Sequence, residues 1–295
     1  MAERRRRRRS PGRVIHTDKH AFAQAFRRGL ASGTTAEGWL AIEGPILFAE
    51  ALRIGGYRPA APPRSAEDGR ALKILSVMAT EREAERFGEA LTGLRKESEV
   101  VLVAQRLYNH VSQTETPRGI AALVELPERS LDAVVGRPAV QVVVACGLQD
   151  PGNLGTLVRS AQALGASALL TLRGTVSPFN PKAMRASAGA VLELPLFTGL
   201  EPESLFQRLR LLGLRLLAAD RHGSVALPQA DLRGAWAVLI GQEAAGLDED
   251  LTRQAEARVA ISIRRDSDSL NAATAASIFL YEAARQRGFR FDEPV

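Results

Sequence analysis

The stretch VQVVVACGLQDPGNLGTLVRSAQALGA, residues 140–166, joins an apolar run to a helical pattern through a polar loop that contains glycine. The run is apolar almost throughout, which is typical of a parallel strand covered on both faces. After the loop, apolar residues recur at the spacing of one helix face. They are Leu154, Leu157, Val158 and Ala161. This order of strand, loop and helix predicts an α/β domain with a parallel sheet.

Four more short apolar runs follow: ASALLTL, LRLLAAD, WAVLIGQE and ARVAISI. They predict further parallel strands, and ligands of such sheets gather at the carboxyl ends of the strands. Upstream, shorter strand and helix patterns alternate and predict a smaller α/β domain. We therefore predict a basic, poorly ordered tail over residues 1–30, the smaller domain over 31–125, a linker over 126–138 and the parallel-sheet domain over 139–295.

The positive charge of the chain is concentrated at its start. The net charge is +6, and positions 4–9 are six consecutive arginines. Residues 1–9 carry these arginines and Glu3, a net +5, so the remaining 33 basic and 32 acidic residues nearly cancel. Such a run suits a phosphate backbone. A solvated tail without a specific role is the alternative reading, and a targeting signal is a third.

Several classes of protein are disfavoured by the composition. The chain contains no stretch of about 18 apolar residues, so we predict no membrane span. We also expect no secretory signal. The four histidines are scattered and Cys146 is the one cysteine, so we predict no structural or catalytic metal. Cys146 lies in an apolar run and is expected to be a buried thiol. A reducing, cytoplasmic location fits these features.

The loop after the first of these apolar runs combines glycines with polar residues. Gly152 and Gly155 allow backbone to approach a ligand closely, and Asn153 is predicted at or near the helix N-cap. Arg159 follows about one and a half turns later, beside the apolar face. An ordinary helix cap with a surface arginine is the alternative reading. A dinucleotide-binding G-x-G-x-x-G pattern is absent.

Two later loops have the same character. VLIGQEAAGLDEDL places Gly241, Glu243 and Gly246 after an apolar run, which suggests a backbone cradle around a flat ligand, although a simple turn with an exposed acid is the alternative. DSDSLNAATAAS places Ser269 and Asn271 where a helix begins. An ordinary helix cap is the alternative reading for either residue alone, but one cap needs only one of the two groups.

Taken together, these loops resemble the three motifs of the SpoU/TrmH family of SPOUT methyltransferases, which are RNA ribose 2′-O-methyltransferases. The matching residues are Asp150, Asn153, Gly155, Arg159 and Gly165, then Gly241, Glu243, Gly246 and Leu247, then Ser269, Leu270 and Asn271. SPFNPKAMRASAGAVLELP matches a further family stretch, and IEGPILFAEAL and TPRGIAALVE resemble the family's smaller domain. The chain departs from the family where Ser262 and Arg265 replace the usual proline and glycine.

The resemblance implies S-adenosylmethionine bound in a trefoil-knotted C-terminal domain, a homodimer formed through that domain, and an L30e-like RNA substrate-binding domain before it. It implies cofactor contacts from the backbone at Gly241, Ile261 and Leu270. It also implies catalytic or orienting roles for the motif side chains, without a metal. These are Asn153, Arg159, Glu243, Ser269 and Asn271.

Methyl transfer to a ribose hydroxyl needs alignment and stabilisation of the developing alkoxide. Arg159 suits an electrostatic role, since a guanidinium hardly deprotonates in proteins, and the proton acceptor stays open. The two-domain layout favours ribosomal RNA over transfer RNA as the target. A non-catalytic RNA-binding homologue in ribosome assembly and a nucleotide-binding α/β enzyme of unrelated chemistry are the competing hypotheses.

Overall fold

A computed structural model describes most of the chain. The described residues are 14–15, 17, 20–57, 72–137, 139–242, 245–264 and 269–290. The chain divides between Pro127 and Glu128 into two compact units. The arginines at positions 4–9, together with Glu243 and Arg265, lie outside the described residues.

The first unit is built on a mixed five-stranded sheet. Its elements are β1 Val14–Ile15, α1 Ala21–Ser32, β2 Leu40–Glu43, α2 Pro45–Ile54, β3 Lys73–Ala79, α3 Glu81–Arg86, α4 Gly88–Leu94, β4 Glu99–Val103, α5 Gln105–Val111 and β5 Ile120–Glu125. The strand order is β1-β4-β3-β5-β2, in which β1 and β3 run parallel to β4 and antiparallel pairs join β5 to β3 and β2.

Helix α1 differs from the sequence prediction, which assigned residues 1–30 to a poorly ordered tail. Its residues Ala23, Phe26 and Leu30 are buried in a core shared with α5 and one face of the sheet. The His20 side chain caps its N-terminus by accepting from Phe22 N, 3.1 Å away. The prediction failed because the segment is rich in arginine and its apolar residues form only a narrow stripe along the helix. This stripe is wide enough to pack the helix on the sheet.

The other face of this sheet carries α2, α3 and α4. α3 and α4 are separate helices because the backbone of Phe87, which joins them, is not helical (φ −103°, ψ 19°). The Phe87 ring meets Phe48 of α2 edge to face, with 5.0 Å between centroids. Packing of this ring against α2 therefore accompanies the break in the helix.

The second unit contains the parallel sheet that the apolar runs predicted. Its strands are β6 Gln141–Ala145, β7 Ala168–Leu172, β8 Leu196–Leu200, β9 Arg215–Ala219, β10 Val225–Ala226, β11 Trp236–Ile240 and β12 Ala257–Ala260. The order is β10-β12-β9-β11-β6-β7-β8, and all neighbours run parallel. The α/β fold with a parallel sheet is thus confirmed, whereas the knot stays a prediction from the resemblance.

Helices accompany this sheet. They are α6 Leu131–Val135, α7 Pro151–Ala163, α8 Pro181–Ala186, α9 Pro202–Leu211, α10 Glu249–Gln254 and α11 Ala272–Gln286, with 3-10 turns at Ala190–Leu192 and Leu227–Gln229. Helix α6 falls within the predicted linker 126–138, yet its Val135 is buried in the core of this unit. The domain boundaries proposed from the sequence otherwise stay predictions.

Helix α7 packs against both α8 and α11. A Cβ on Gly155 would lie 2.7 Å from the Cβ of Ala186 and closer still to the carbonyl oxygen of Ala183. Only glycine permits this approach of α8 to α7. The motif glycine therefore sets helix packing beside the functional loops.

Candidate functional site

A pocket of about 560 Å³ opens at the carboxyl ends of β9, β11 and β12. Gly241, Ile261 and Leu270, the three positions predicted to hold a cofactor by their backbone, all line it, and so does Ser269. Apolar side chains that include Leu247 and Phe279 line it too. The pocket therefore combines apolar surface with exposed strand-end backbone, the composition expected for a flat, partly polar ligand.

The glycine loop after β11 closes tightly on itself. Gln242 N donates to Gly246 O at 3.0 Å, and Gly246 N donates to Gln242 O at 2.9 Å. A Cβ on Gly241 would lie 2.5 Å from Leu247 N and nearer still to the Gly246 carbonyl. Gly246 itself has φ +70°, a conformation that glycine adopts without strain. The two glycines are thus required for the loop that forms one wall of the pocket.

A charged pair that sequence reasoning missed lies at the pocket. Asp220 Oδ2 accepts from Arg258 Nε at 2.8 Å and from its Nη2 at 2.6 Å. Asp220 Oδ1 accepts from His222 N at 2.8 Å. All three residues line the pocket. Asp220 follows β9 directly, and since ligands bind at the carboxyl ends of parallel strands, the sequence could have indicated this residue. The pairing register of β12, which brings Arg258 to Asp220, could not be predicted from the sequence.

Asn271 caps α11 and also joins two motifs. Its Oδ1 accepts from Ala273 N at 2.9 Å and Thr274 N at 3.2 Å, and its Nδ2 donates to Asn153 Oδ1 at 3.0 Å. Ser269 does not cap this helix; it lines the pocket. The polar cluster before α11 is therefore a cap and a pocket wall at once.

Helix α7 is capped by Asp150, which corrects the prediction for Asn153. Asp150 accepts from Gly152 N and Asn153 N, both at 3.2 Å, while Asn153 lies in the first turn with its side chain bonded to Asn271. Lys182 Nζ reaches the Asp150 carboxylate at 2.7 Å. The hydrogen bond from Lys182, followed by that from Gly152 N, lowers the pKa of Asp150. A charged cap at the N-terminus of α7 follows from these contacts.

Arg159 lies exposed on α7 and is not among the described residues that line the pocket. The structure thus groups Ser269 with the three cofactor positions and pairs Asn153 with Asn271, but it does not bring Arg159 to the pocket of one chain. Glu243 lies outside the described residues. In this arrangement the pocket suits a cofactor, and Arg159 lies outside it.

The part of the chain that the structure describes holds neither a metal-binding cluster nor a helix that could span a membrane. No group of three or more histidine, cysteine, aspartate or glutamate residues could hold a metal ion there. No helix in that part of the chain is long and apolar enough to cross a membrane.

The fold and this site are those of a class of α/β proteins that bind a small ligand at the strand ends of a parallel sheet. The sequence model of the SpoU rRNA Methylase family matches residues 141–281. A relative from Streptomyces viridochromogenes, 23S rRNA (uridine(2479)-2′-O)-methyltransferase, is 30% identical over 212 residues, which cover 70% of this chain and 74% of the relative. The chain therefore belongs to the SpoU methylase family, as the motifs predicted.

A second relative and a similar solved structure are also named as methyltransferases. The 23S rRNA (guanosine(2553)-2′-O)-methyltransferase RlmP of Bacillus subtilis (strain 168) is 29% identical over 61% of this chain and 70% of its own length. Among solved structures, the SpoU methyltransferase AviRb from Streptomyces viridochromogenes in complex with AdoMet has a TM-score of 0.75 at 26% identity, covering 91% of this chain and 98% of that one. The similarity thus extends over both units.

Proposed function

We propose that this protein transfers a methyl group from S-adenosylmethionine to a ribose 2′-hydroxyl in ribosomal RNA. The observation that carries the proposal is the convergence of Gly241, Ile261 and Leu270 on one pocket, since these positions are separated along the chain and were predicted together as cofactor contacts. The names of the relatives support the substrate class, because two of them are 23S rRNA 2′-O-methyltransferases.

The residues present fit the cofactor. A pocket of about 560 Å³ lies within the usual range for a small-molecule site. Strand-end backbone after β11 and β12 can hydrogen-bond the polar edges of a base, while the half-buried Leu247 can contact one of its faces. When bound, S-adenosylmethionine supplies an electrophilic methyl group on a sulfonium.

The protein's part in the reaction is to orient groups and to stabilise charge. Gly241, Ile261 and Leu270 would hold the methyl donor, and the ribose hydroxyl would have to lose its proton as its oxygen takes up the methyl group. Because Arg159 lies outside the pocket, exposed and permanently charged, we propose that it holds the RNA phosphate next to the reacting ribose, where its charge also stabilises the developing alkoxide. The hydrogen bond between Asn153 and Asn271 fixes the loops on which this alignment depends.

We also propose that the protein acts in the cytoplasm as a homodimer joined through the second unit. Tyr281 of α11 is 54% exposed and Phe289 is 44% exposed, and their rings lie 5.5 Å apart. Such a pair of exposed aromatic rings is typical of an interface core. Tyr281→Arg should convert a dimer to a monomer in sedimentation of the full chain. Leu211→Arg, at a residue 72% exposed on α9, is the matched control and should remain dimeric.

The activity is tested with the purified chain, labelled S-adenosylmethionine and an unmodified 23S rRNA transcript in the presence of a chelator. We expect label in the RNA, at a position that becomes resistant to alkaline hydrolysis because its 2′-hydroxyl is blocked. A transfer RNA pool is assayed in parallel, and preferential labelling of that pool would refute the ribosomal assignment. Tight RNA binding without cofactor binding or transfer would favour the non-catalytic homologue instead.

A further inference from the structure

We propose that the outer surface of α1 and α5 in the first unit is a docking surface for the phosphate backbone of the substrate RNA. The inference rests on the proposed function and assigns a binding surface to it. The surface consists of the exposed side chains Gln24, Arg27, Arg28, Arg106, Asn109 and His110, called the α1/α5 face below.

The two helices form one continuous surface. They pack against each other, and both insert apolar residues into the same core, including Phe26 from α1 and Leu107 from α5. Residues at positions 24, 27 and 28 and at 106, 109 and 110 are exposed, as the helical period requires for the opposite side. The polar stripes of the two helices therefore lie side by side on the outside.

The charge of this face has one sign. Neither α1 nor α5 contains an aspartate or glutamate, and the two helices carry Arg27, Arg28 and Arg106. Within the described part of the chain these three arginines form no ion pair. Glu37, in the loop after α1, has a lowered pKa owing chiefly to hydrogen bonds with Thr35 and its own backbone, and only least to Arg28. Three exposed guanidinium groups with little local neutralisation favour a phosphate partner.

The helices on the other side of the sheet have the opposite balance. α2, α3 and α4 contain five glutamates and three arginines, a net −2, against a net +3 on α1 and α5. Two of those arginines are engaged with helical neighbours, Arg53 with Glu50 and Arg86 with Glu83. The helices of this unit therefore carry a net positive charge on the α1/α5 side alone, and a surface that only contacts solvent would not require this asymmetry.

The side chains between the arginines also suit RNA. Gln105 Nε2 donates to Asn109 Oδ1 at 2.7 Å, and the His110 ring nitrogen Nδ1 lies 2.9 Å from Arg106 O. These contacts order the outer side of α5 before a ligand arrives, which reduces the entropy lost on binding. Amide and imidazole groups can then contact sugar hydroxyls and base edges, while the arginines hold phosphates.

The expected effect follows from counterion release. Each phosphate contact to single-stranded nucleic acid lowers the slope of log K against log salt by about 0.7, so three contacts contribute about 2 to the slope. The triple variant Arg27→Gln, Arg28→Gln, Arg106→Gln should therefore bind a 23S rRNA transcript about 100-fold more weakly at 0.1 M salt than the unaltered chain, with the difference vanishing towards 1 M.

The matched control removes three exposed positive charges from the α3–α4 side of the same unit: Arg82→Gln, Arg95→Gln, Lys96→Gln. It should retain RNA affinity within about threefold, since nonspecific charge loss alone has only a modest effect at this salt. Affinity is measured by filter binding across a salt series. Thermal melting and cofactor calorimetry on each variant verify that the fold and the pocket are intact.

Equal affinity of the triple variant and the unaltered chain, or an equal loss in the control, would overturn the surface assignment. In both cases methyl transfer by the unaltered chain would leave the proposed function standing. Absence of cofactor binding and transfer in the unaltered chain would instead defeat the proposed function and this inference with it. Loss of RNA affinity and of salt slope in the triple variant alone supports the docking surface.

Discussion

Gly241→Ala is the substitution that probes the cofactor loop most directly. The new Cβ would lie 2.5 Å from Leu247 N, whereas carbon contacts are favourable near 3.5 Å, so the loop must move by about 1 Å. That movement strains the mutual hydrogen bonds of Gln242 and Gly246, which contribute about 1 kcal/mol each. Restoring the closed loop would then cost about 2 kcal/mol.

Only the closed loop is expected to bind cofactor. A cost of about 2 kcal/mol leaves the closed form about 3% populated and raises the apparent Kd for S-adenosylmethionine about 30-fold. Calorimetry measures the Kd, and a thermal melt measures stability. Gly234→Ala is the matched control, because its Cβ would meet nothing within 4 Å and its φ is not in the left-handed region.

The control should bind as the unaltered chain does, within about twofold, since an alanine in open space adds no clash. If Gly241→Ala also retained its Kd, the loop would not form the cofactor wall and the pocket assignment would be wrong. If Gly241→Ala melted at a lower temperature but bound S-adenosylmethionine with an unchanged Kd, the conclusion would be the same, because the loop would then matter for stability and not for cofactor binding.

Other positions give independent tests. Arg159→Ala should abolish methyl transfer while sparing cofactor affinity, and Arg159→Lys should restore it only in part, because lysine lacks the planar fork; full activity of either variant would refute the electrostatic role. Asn271→Ala removes a cap worth about 1 kcal/mol and the bond to Asn153, so melting temperature, cofactor affinity and single-turnover transfer should all fall; loss of stability alone would make it merely a cap. Burial raises the pKa of Cys146 to about 12 from 9.0, so alkylation at pH 8 should be about 1000-fold slower in the folded chain than in denaturant, and comparable rates would contradict its burial. The pKa of Asp150 is lowered in the folded chain, so the stabilisation from its carboxylate is present above the ordinary pKa of 3.8 and is lost as the pH falls through the pKa of the folded state. The melting temperature of Asp150→Asn should therefore depend less on pH below 3.8 than that of the unaltered chain. An unchanged pH dependence in this range would disprove the ion pair with Lys182.

The sequence predicted the second unit well because its central strands are buried on both faces and read as continuous apolar runs. It missed the edge strand Leu196–Leu200, whose residues are partly or fully exposed and include Gly199. It also missed α1, where Gly29 breaks a helical pattern. A Cβ there would lie 2.9 Å from the Cβ of Ala41, so the glycine serves tertiary packing that no local pattern displays.

The candidate site was predictable in its loops but not in its pairings. The motif residues Gly241, Ser269 and Asn271 were found because each follows an apolar run or begins a helix. The partnership of Asp220 with Arg258 depends on the adjacency of β9 and β12 in the sheet, and that of Asn153 with Asn271 depends on how α7 packs against α11. Such long-range neighbours are set by the fold as a whole.

The hydrogen bond between Asn153 and Asn271 spans 118 positions of the chain. During synthesis the amino-terminal unit and most strands of the second unit leave the ribosome before Asn271 is even added, and folding proceeds from the N-terminus. The first turn of α7 therefore stays without its partner until the start of α11 has been synthesised. The strands β11 and β12 are also made late, and each lies between strands made earlier, so only β6, β7 and β8 can pair in their final order before them. The pocket at the ends of β9, β11 and β12 therefore forms only after β12 has been synthesised.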